Sequence, residues 1–190
     1  MNEMSTLETK RQLEYIKEVK VMMEKKAEEL GRPLTYHIAT FGCQMNARDS
    51  EKLEGILIEI GYVKTESEEA DFVLYNTCTV RENANLKVYG RLGQLKRYKT
   101  KNPHMLIALC GCMMQEDIVV DKIRKSYRYV DIIFGTHNVF KLAELIKTRF
   151  LSDRMVIDIW KDTNEIVEDL PNERKYPFKA GVNIIFGCNN

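Results

Sequence analysis

The sequence predicts an α/β fold, a doubly wound parallel sheet of about four to five strands preceded by an N-terminal amphipathic helix. Three observations carry that prediction. From Leu34 onward, short and nearly continuous apolar runs alternate with helical stretches. The apolar runs lack the in–out alternation of a half-solvated strand, as expected where both faces of a sheet are covered. With 190 residues, 44% of them hydrophobic, the chain is long enough to bury a sizeable core.

The elements follow in order. Residues 5–30 read as one helix: Ser5-Thr6-Leu7-Glu8 has the S-x-x-E form of a capping box, and Gly31 with Pro33 supplies a stop. Ile16, Val19, Met23, Ala27 and Leu30 recur at three- and four-residue steps and form one apolar stripe, so this arm (1–33) is expected to dock on its own domain, with a partner-binding helix as the alternative. Strands are expected at 35–41, 71–76, 105–110, 130–134 and, more weakly, 155–159. Helices are expected between them at 49–60, 81–98, 116–125 and 140–150, with right-handed crossovers. The domain so defined spans 34–158. Residues 159–180, rich in Asp, Glu and Pro, have linker composition, and 181–190 turn apolar again like the first strand of a truncated second domain.

The bulk numbers exclude several classes. A formal net charge of +1 announces neither nucleic acid nor an anionic membrane, although a local basic patch could still meet RNA. The N-terminus lacks the basic and apolar regions of a signal peptide, and no apolar stretch approaches the roughly 18–20 residues of a membrane span. A cytoplasmic address with no membrane partner is expected. In that reducing compartment, five cysteines point to metal or redox chemistry more than to disulfides.

Three of those cysteines each fall just after an expected strand: Cys43 after the first, Cys78 after the second and Cys112 after the third, at separations of 35 and 34 positions. Open parallel sheets bind ligands outside the carboxyl ends of their strands, so three loops there can bring three thiols together. Soft thiolates select zinc, copper(I) or iron–sulfur clusters. A structural zinc site normally closes four ligands, usually with C-x-x-C knuckles, and none occurs here. Three ligands fit one iron–sulfur cubane with one iron left without a protein ligand. A three-cysteine zinc module that only recognises RNA stays open as the alternative. Cys110, inside its strand, reads as core.

Other residues carry weaker signals. His37 and His104 read as structural or exposed, whereas His137, in Gly135-Thr136-His137-Asn138, follows the fourth strand on the same edge as the cysteines. Arg81, Lys87, Arg91, Lys96, Arg97, Lys99 and Lys101 make the helix after Cys78 basic, either as a solvated face or as an RNA-phosphate surface. A nucleotide or flavin domain would suit the same sheet, but no G-x-G-x-x-G or P-loop sequence follows the first strand.

Four segments, in this order and at these separations, carry a resemblance: Gly-Cys-Gln-Met-Asn at 42–46, Asp-Ser-Glu at 49–51, Asn-Thr-Cys-Thr-Val-Arg-Glu at 76–82 and Gly-Cys-Met-Met-Gln at 111–115. They resemble the N-terminal domain of the radical-SAM methylthiotransferases, from about Tyr36 to Ile146 and again over 181–190. The resemblance implies that Cys43, Cys78 and Cys112 bind that family's auxiliary [4Fe-4S] cluster. Gln44-Met45-Asn46 looks most like the branch that methylthiolates C2 of N6-isopentenyladenosine beside the tRNA anticodon. A different substrate branch is the alternative.

Cys188, in Phe186-Gly187-Cys188-Asn189-Asn190, looks like the first cysteine of the radical-SAM C-x-x-x-C-x-x-C motif, ligand of a second [4Fe-4S] cluster. The implied parent is an enzyme with two such clusters that binds S-adenosyl-L-methionine in the missing domain. Its implied partners are tRNA and the sulfur and iron–sulfur donors. The fragment alone is not expected to catalyse.

Overall fold

The computed structural model describes residues 3–79, 84–161, 167 and 170–173. Among these residues six parallel strands form one sheet in the order β2-β1-β3-β4-β5-β6. The strands are β1 (Leu34–Phe41), β2 (Tyr62–Lys64), β3 (Phe72–Thr77), β4 (Leu106–Gly111), β5 (Ile132–Phe134) and β6 (Val156–Asp158). The helices are α1 (Glu3–Leu30), α2 (Gln44–Glu59), α3 (Ala84–Lys101), α4 (Asp117–Ser126) and α5 (Leu142–Leu151). The expected doubly wound fold is therefore found, with one strand more than expected.

Strands β3 and β4 sit at the centre, and every residue of both is buried. Period-two alternation then divides their side chains between two cores. Phe72, Leu74, Leu106, Ala108 and Cys110 face α1, α2 and α5, whereas Val73, Tyr75, Ile107 and Leu109 face α3 and α4. The apolar stripe of α1 is used as its spacing implies: Ile16, Val19 and Met23 are buried in the first core, and Arg11 and Gln12 bond Glu144 of α5. Residues 171 and 172 pass close over Gly55 of α2, where an added Cβ would lie 2.4 Å from Asn172 N.

Three local readings are corrected. Helix α1 starts at Glu3, before Ser5, so Ser5-Thr6-Leu7-Glu8 is not its cap. Helix α2 starts at Gln44 rather than Asp49. Crossovers β3–α3–β4 and β4–α4–β5 carry their helices on one face, but α5, between the next two strands, lies on the other. The β5–α5–β6 connection is thus of opposite hand to its two predecessors, an exception to the near-universal rule. Helix α5 there packs in the first core and bonds α1 through Arg11–Glu144 and Glu18–Lys147.

Two buried aspartates stitch the amino edge of the sheet. Asp71 accepts from Arg32 Nη1 and Nη2 (2.7 and 2.8 Å), from Thr35 N (2.9 Å) and from Asn102 Nδ2 (3.0 Å). Burial alone would raise its pKa, but the Arg32 fork and the Thr35 and Asn102 donors prevail and hold it at about 2. A carboxylate so depressed stabilises the fold above its unfolded value near 3.8, and that stability is lost as pH falls toward 2. Urea unfolding should therefore find Asp71→Asn destabilised by about 2 kcal/mol at pH 7, and the gap should close progressively below pH ~4.

Candidate metal centre

The carboxyl ends of the three central strands lie in register: Phe41 pairs with Thr77, and Thr77 with Gly111. Cys43 stands two residues beyond the end of β1, Cys78 one beyond β3 and Cys112 one beyond β4. The sheet therefore brings the three cysteines to one edge of three adjacent strands, which are spaced about 4.8 Å apart. Cys78 is buried, and Cys43 and Cys112 are half-buried. Cys110 is fully buried in the first core, and burial raises its thiol pKa well above the ordinary value.

A buried polar knot locks the first two loops together. Asn46 Oδ1 accepts the Cys43 N–H (3.1 Å) and lies 3.3 Å from Cys43 Sγ. Asn46 Nδ2 donates to Asn76 Oδ1 (2.9 Å) and to Thr77 O (3.0 Å). Asn76 Nδ2 donates in return to Asn46 O (2.8 Å) and Ser50 Oγ (3.1 Å). The Thr77 hydroxyl donates to Cys110 O at 2.5 Å, which ties in the third loop. Gly111 makes this closeness feasible: its φ is +96°, and a Cβ there would lie 2.1 Å from Thr77 O. Gly42 does the same on the other side, 2.1 Å from Asn46 Oδ1.

Cutting the knot should be costly. Asn46→Ala leaves the Cys43 N–H, Thr77 O and part of Asn76 unpaired in a buried place. At about 1–3 kcal/mol per orphaned group, partly relieved by water, denaturant unfolding should show a loss of roughly 2–4 kcal/mol.

Two other groups lie behind or beside this edge. Asp49, buried on α2, has its pKa pushed up to about 6 by burial, which Lys52 and Arg48 only partly offset. His137 follows β5 on the same edge; it is half-buried, and its Nδ1 is buried with no hydrogen-bond partner among the described residues. His37 Nδ1 instead pairs with Thr65 O at 3.1 Å, and His104 is exposed. Cys188 and Arg81 lie outside the described residues.

The donor set at the edge is soft and its ligands are clustered by the fold, but the thiols are not converged. Among the described residues, no three His, Cys, Asp or Glu side chains stand where they could share a metal ion. Cys43 supplies one reason, since its Sγ is turned onto Asn46 Oδ1. The amide nitrogens that open α2, a helix of 16 residues capped by Cys43, favour negative charge at this edge.

Residues 35–135, more than half of the 190-residue chain, match the model of uncharacterized protein family UPF0004. The chain belongs to this family. The UPF0004 region begins within β1 and ends just after β5, so it contains all three cysteines and the whole knot. A Lachnoclostridium phytofermentans protein named tRNA-2-methylthio-N(6)-dimethylallyladenosine synthase is 71% identical over 171 residues, which cover 90% of this chain and 38% of that protein. The Clostridioides difficile protein of the same name is 50% identical over 177 residues, covering 93% of this chain and 37% of the relative. The Geobacillus kaustophilus one is 45% identical over 181 residues, covering 95% and 34%. The chain thus spans between about a third and two-fifths of the length of these relatives. The kinship with methylthiotransferases expected from the sequence is borne out.

Proposed function

We propose that this chain is the auxiliary-cluster domain of a radical-SAM enzyme that methylthiolates C2 of N6-isopentenyladenosine beside the tRNA anticodon. The observation that carries the reading is the shared register of Phe41, Thr77 and Gly111, which leaves Cys43, Cys78 and Cys112 beyond three neighbouring strand ends. These cysteines would hold one [4Fe-4S] cluster, whose chemistry is to supply the sulfur that reaches the adenine carbon. Three thiols with no carboxylate or imidazole among them suit such a group, and the absence of a fourth cysteine in these loops leaves one iron open.

The chain's own share is placement and shelter. The Asn46–Asn76 knot fixes the Cys43 loop against the Cys78 loop, and Gly111 lets the Cys112 turn close on both. Met113 and Met114, fully buried after Cys112, seal the base of the third loop from water. Loading requires the Cys43 side chain to leave Asn46 Oδ1 and lose its proton, while the Cys43 N–H keeps Asn46 as its acceptor.

In this reading residues 1–33 form a docked arm, 34–158 the cluster domain, 159–180 a linker and 181–190 the start of the radical-SAM domain. Cys188 is then the first ligand of the second [4Fe-4S] cluster, and S-adenosyl-L-methionine binds outside this chain. The parent works in the cytoplasm on tRNA and is served by sulfur and iron–sulfur donors. The absence, in the described residues, of any helix long and apolar enough to cross a membrane is compatible with that address. Anaerobic reconstitution with iron and sulfide, followed by iron counting and Mössbauer spectroscopy, tests the reading. One four-iron cluster at this edge is expected; stoichiometric zinc with no cluster would overturn it in favour of the zinc module.

A further inference from the structure

The solvent side of α3 is built against the interests of its own helix. Val88, Leu92 and Leu95 face the sheet and are fully buried. The opposite ridge, at alternating three- and four-residue steps, reads Lys87, Gly90, Gln94, Arg97 and Lys101. Across all 18 residues there is no acidic side chain, although solvated helices are usually laced with opposite charges. Lys87 with Arg91, and Arg97 with Lys101, are like-charged pairs at i,i+4, and among the described residues only the second member of each meets a counter-charge, Arg91 at Glu68 (3.1 Å) and Lys101 at Glu69 (3.7 Å).

Gly90 and Gly93 weaken the helix, and a Cβ added at either would meet nothing within 4 Å. No packing need among the described residues explains them. Among the same residues Lys87, Lys96 and Arg97 make no ion pair, and neither do Lys122, Lys125 and Arg128 on or just after α4. All six are exposed, and α3 and α4 cover the same face of the sheet. Local rules broken together on one exposed face point to an outside partner.

We infer that the outer ridge of α3, flanked by the second half of α4, docks the phosphate backbone of RNA. The inference rests on the reading above, in which the parent acts on tRNA. Cations without counter-charges are what a polyanion neutralises, and missing side chains at Gly90 and Gly93 let its backbone approach the helix closely. Contact is through phosphates rather than bases. The nearby rings of Tyr89 and Tyr127 already stack on each other at 5.7 Å, with Lys122 Nζ 4.0 Å from the Tyr89 centroid. Lys87 to Arg97 spans about 15 Å along the helix. The ridge starts at the cysteine edge because α3 follows β3, so RNA lying along it leads toward the cysteines.

The test uses the chain with a synthetic RNA stem–loop, followed by fluorescence anisotropy over a series of salt concentrations. A Lys87→Gln/Arg97→Gln variant, which removes the two ridge cations that make no ion pair among the described residues, should bind roughly tenfold more weakly at moderate salt. The slope of log affinity against log salt should shrink by about two. Gly90→Ala/Gly93→Ala should melt at a higher temperature yet bind RNA more weakly, a combination that a merely structural role does not produce. Lys17→Gln/Lys25→Gln, exposed on α1 in the opposite layer, should behave as wild type. Equal effects of the α1 and α3 variants, or binding of phosphatidylserine vesicles in place of RNA, would overturn the inference. Cluster content measured on the same samples separates the two ideas: an intact cluster with unchanged RNA binding sinks the ridge alone, and a missing cluster in wild type sinks the reading beneath it.

Discussion

Cys43→Ala, Cys78→Ala and Cys112→Ala, each reconstituted anaerobically, should lose the four-iron Mössbauer signature of this edge, whereas Cys110→Ala should keep it. The contrast follows from position. Cys43, Cys78 and Cys112 stand beyond the ends of β1, β3 and β4, while Cys110 points into the core of α1, α2 and α5. A cubane with three protein ligands has no spare thiolate, so the loss of one leaves two irons without protein ligands. Cys188→Ala should also retain this cluster, because it belongs to the other set in our proposal. In the intact parent, the three variants should stop sulfur insertion while cleavage of S-adenosyl-L-methionine continues. Retention of a full four-iron complement in all three would end the assignment.

The second large effect is expected from Asp131→Ala, which should cost about 3–5 kcal/mol in chemical denaturation. Asp131 is only 2% exposed and bonds Lys99 Nζ, Arg149 Nε (3.0 Å) and the Ile107 N–H (2.8 Å) of β4. Removing it leaves two largely buried cations facing each other and one strand donor unpaired. A buried pair of this kind contributes little beyond an apolar replacement, but losing one partner is severe. Asp131→Asn should recover part of the loss, since its Oδ1 still accepts from Ile107 while the cations remain uncompensated. A variant within 1 kcal/mol of wild type would mean that water takes over the role of the carboxylate.

Much of this could be read from residues alone, for physical reasons that differ by element. Strands β3 and β4 announce themselves because a strand covered on both faces carries a nearly continuous apolar run, interrupted only where Asn76 and Thr77 close β3. Edge strand β2 leaves no trace in the sequence because it is three residues long with only Tyr62 buried, too short for any periodicity to register. The first turn of α2 was hidden by its polarity: Gln44, Asn46 and Arg48 read as loop until Cys43 is seen capping them.

The site divides the same way. Three cysteines after three strands are legible because topology alone places them on one edge. The knot is not, because Asn46 and Asn76 find each other across 30 positions and side-chain amides leave no periodic trace. The one available hint was Asn76-Thr77, a polar pair closing an otherwise apolar strand.

The grip between α1 and α5 has a consequence for how the chain is made. On the ribosome α1 emerges well before α5, which begins at Leu142, although β1 and α2 supply part of the cover of its stripe earlier. At about 5–20 residues per second, Ile16, Val19 and Met23 wait roughly 5–25 seconds for α5. For that interval the nascent chain carries an amphipathic helix whose α5-facing side is uncovered. Slow translation between residues 30 and 142 should therefore lower the soluble yield more than slow translation after residue 160.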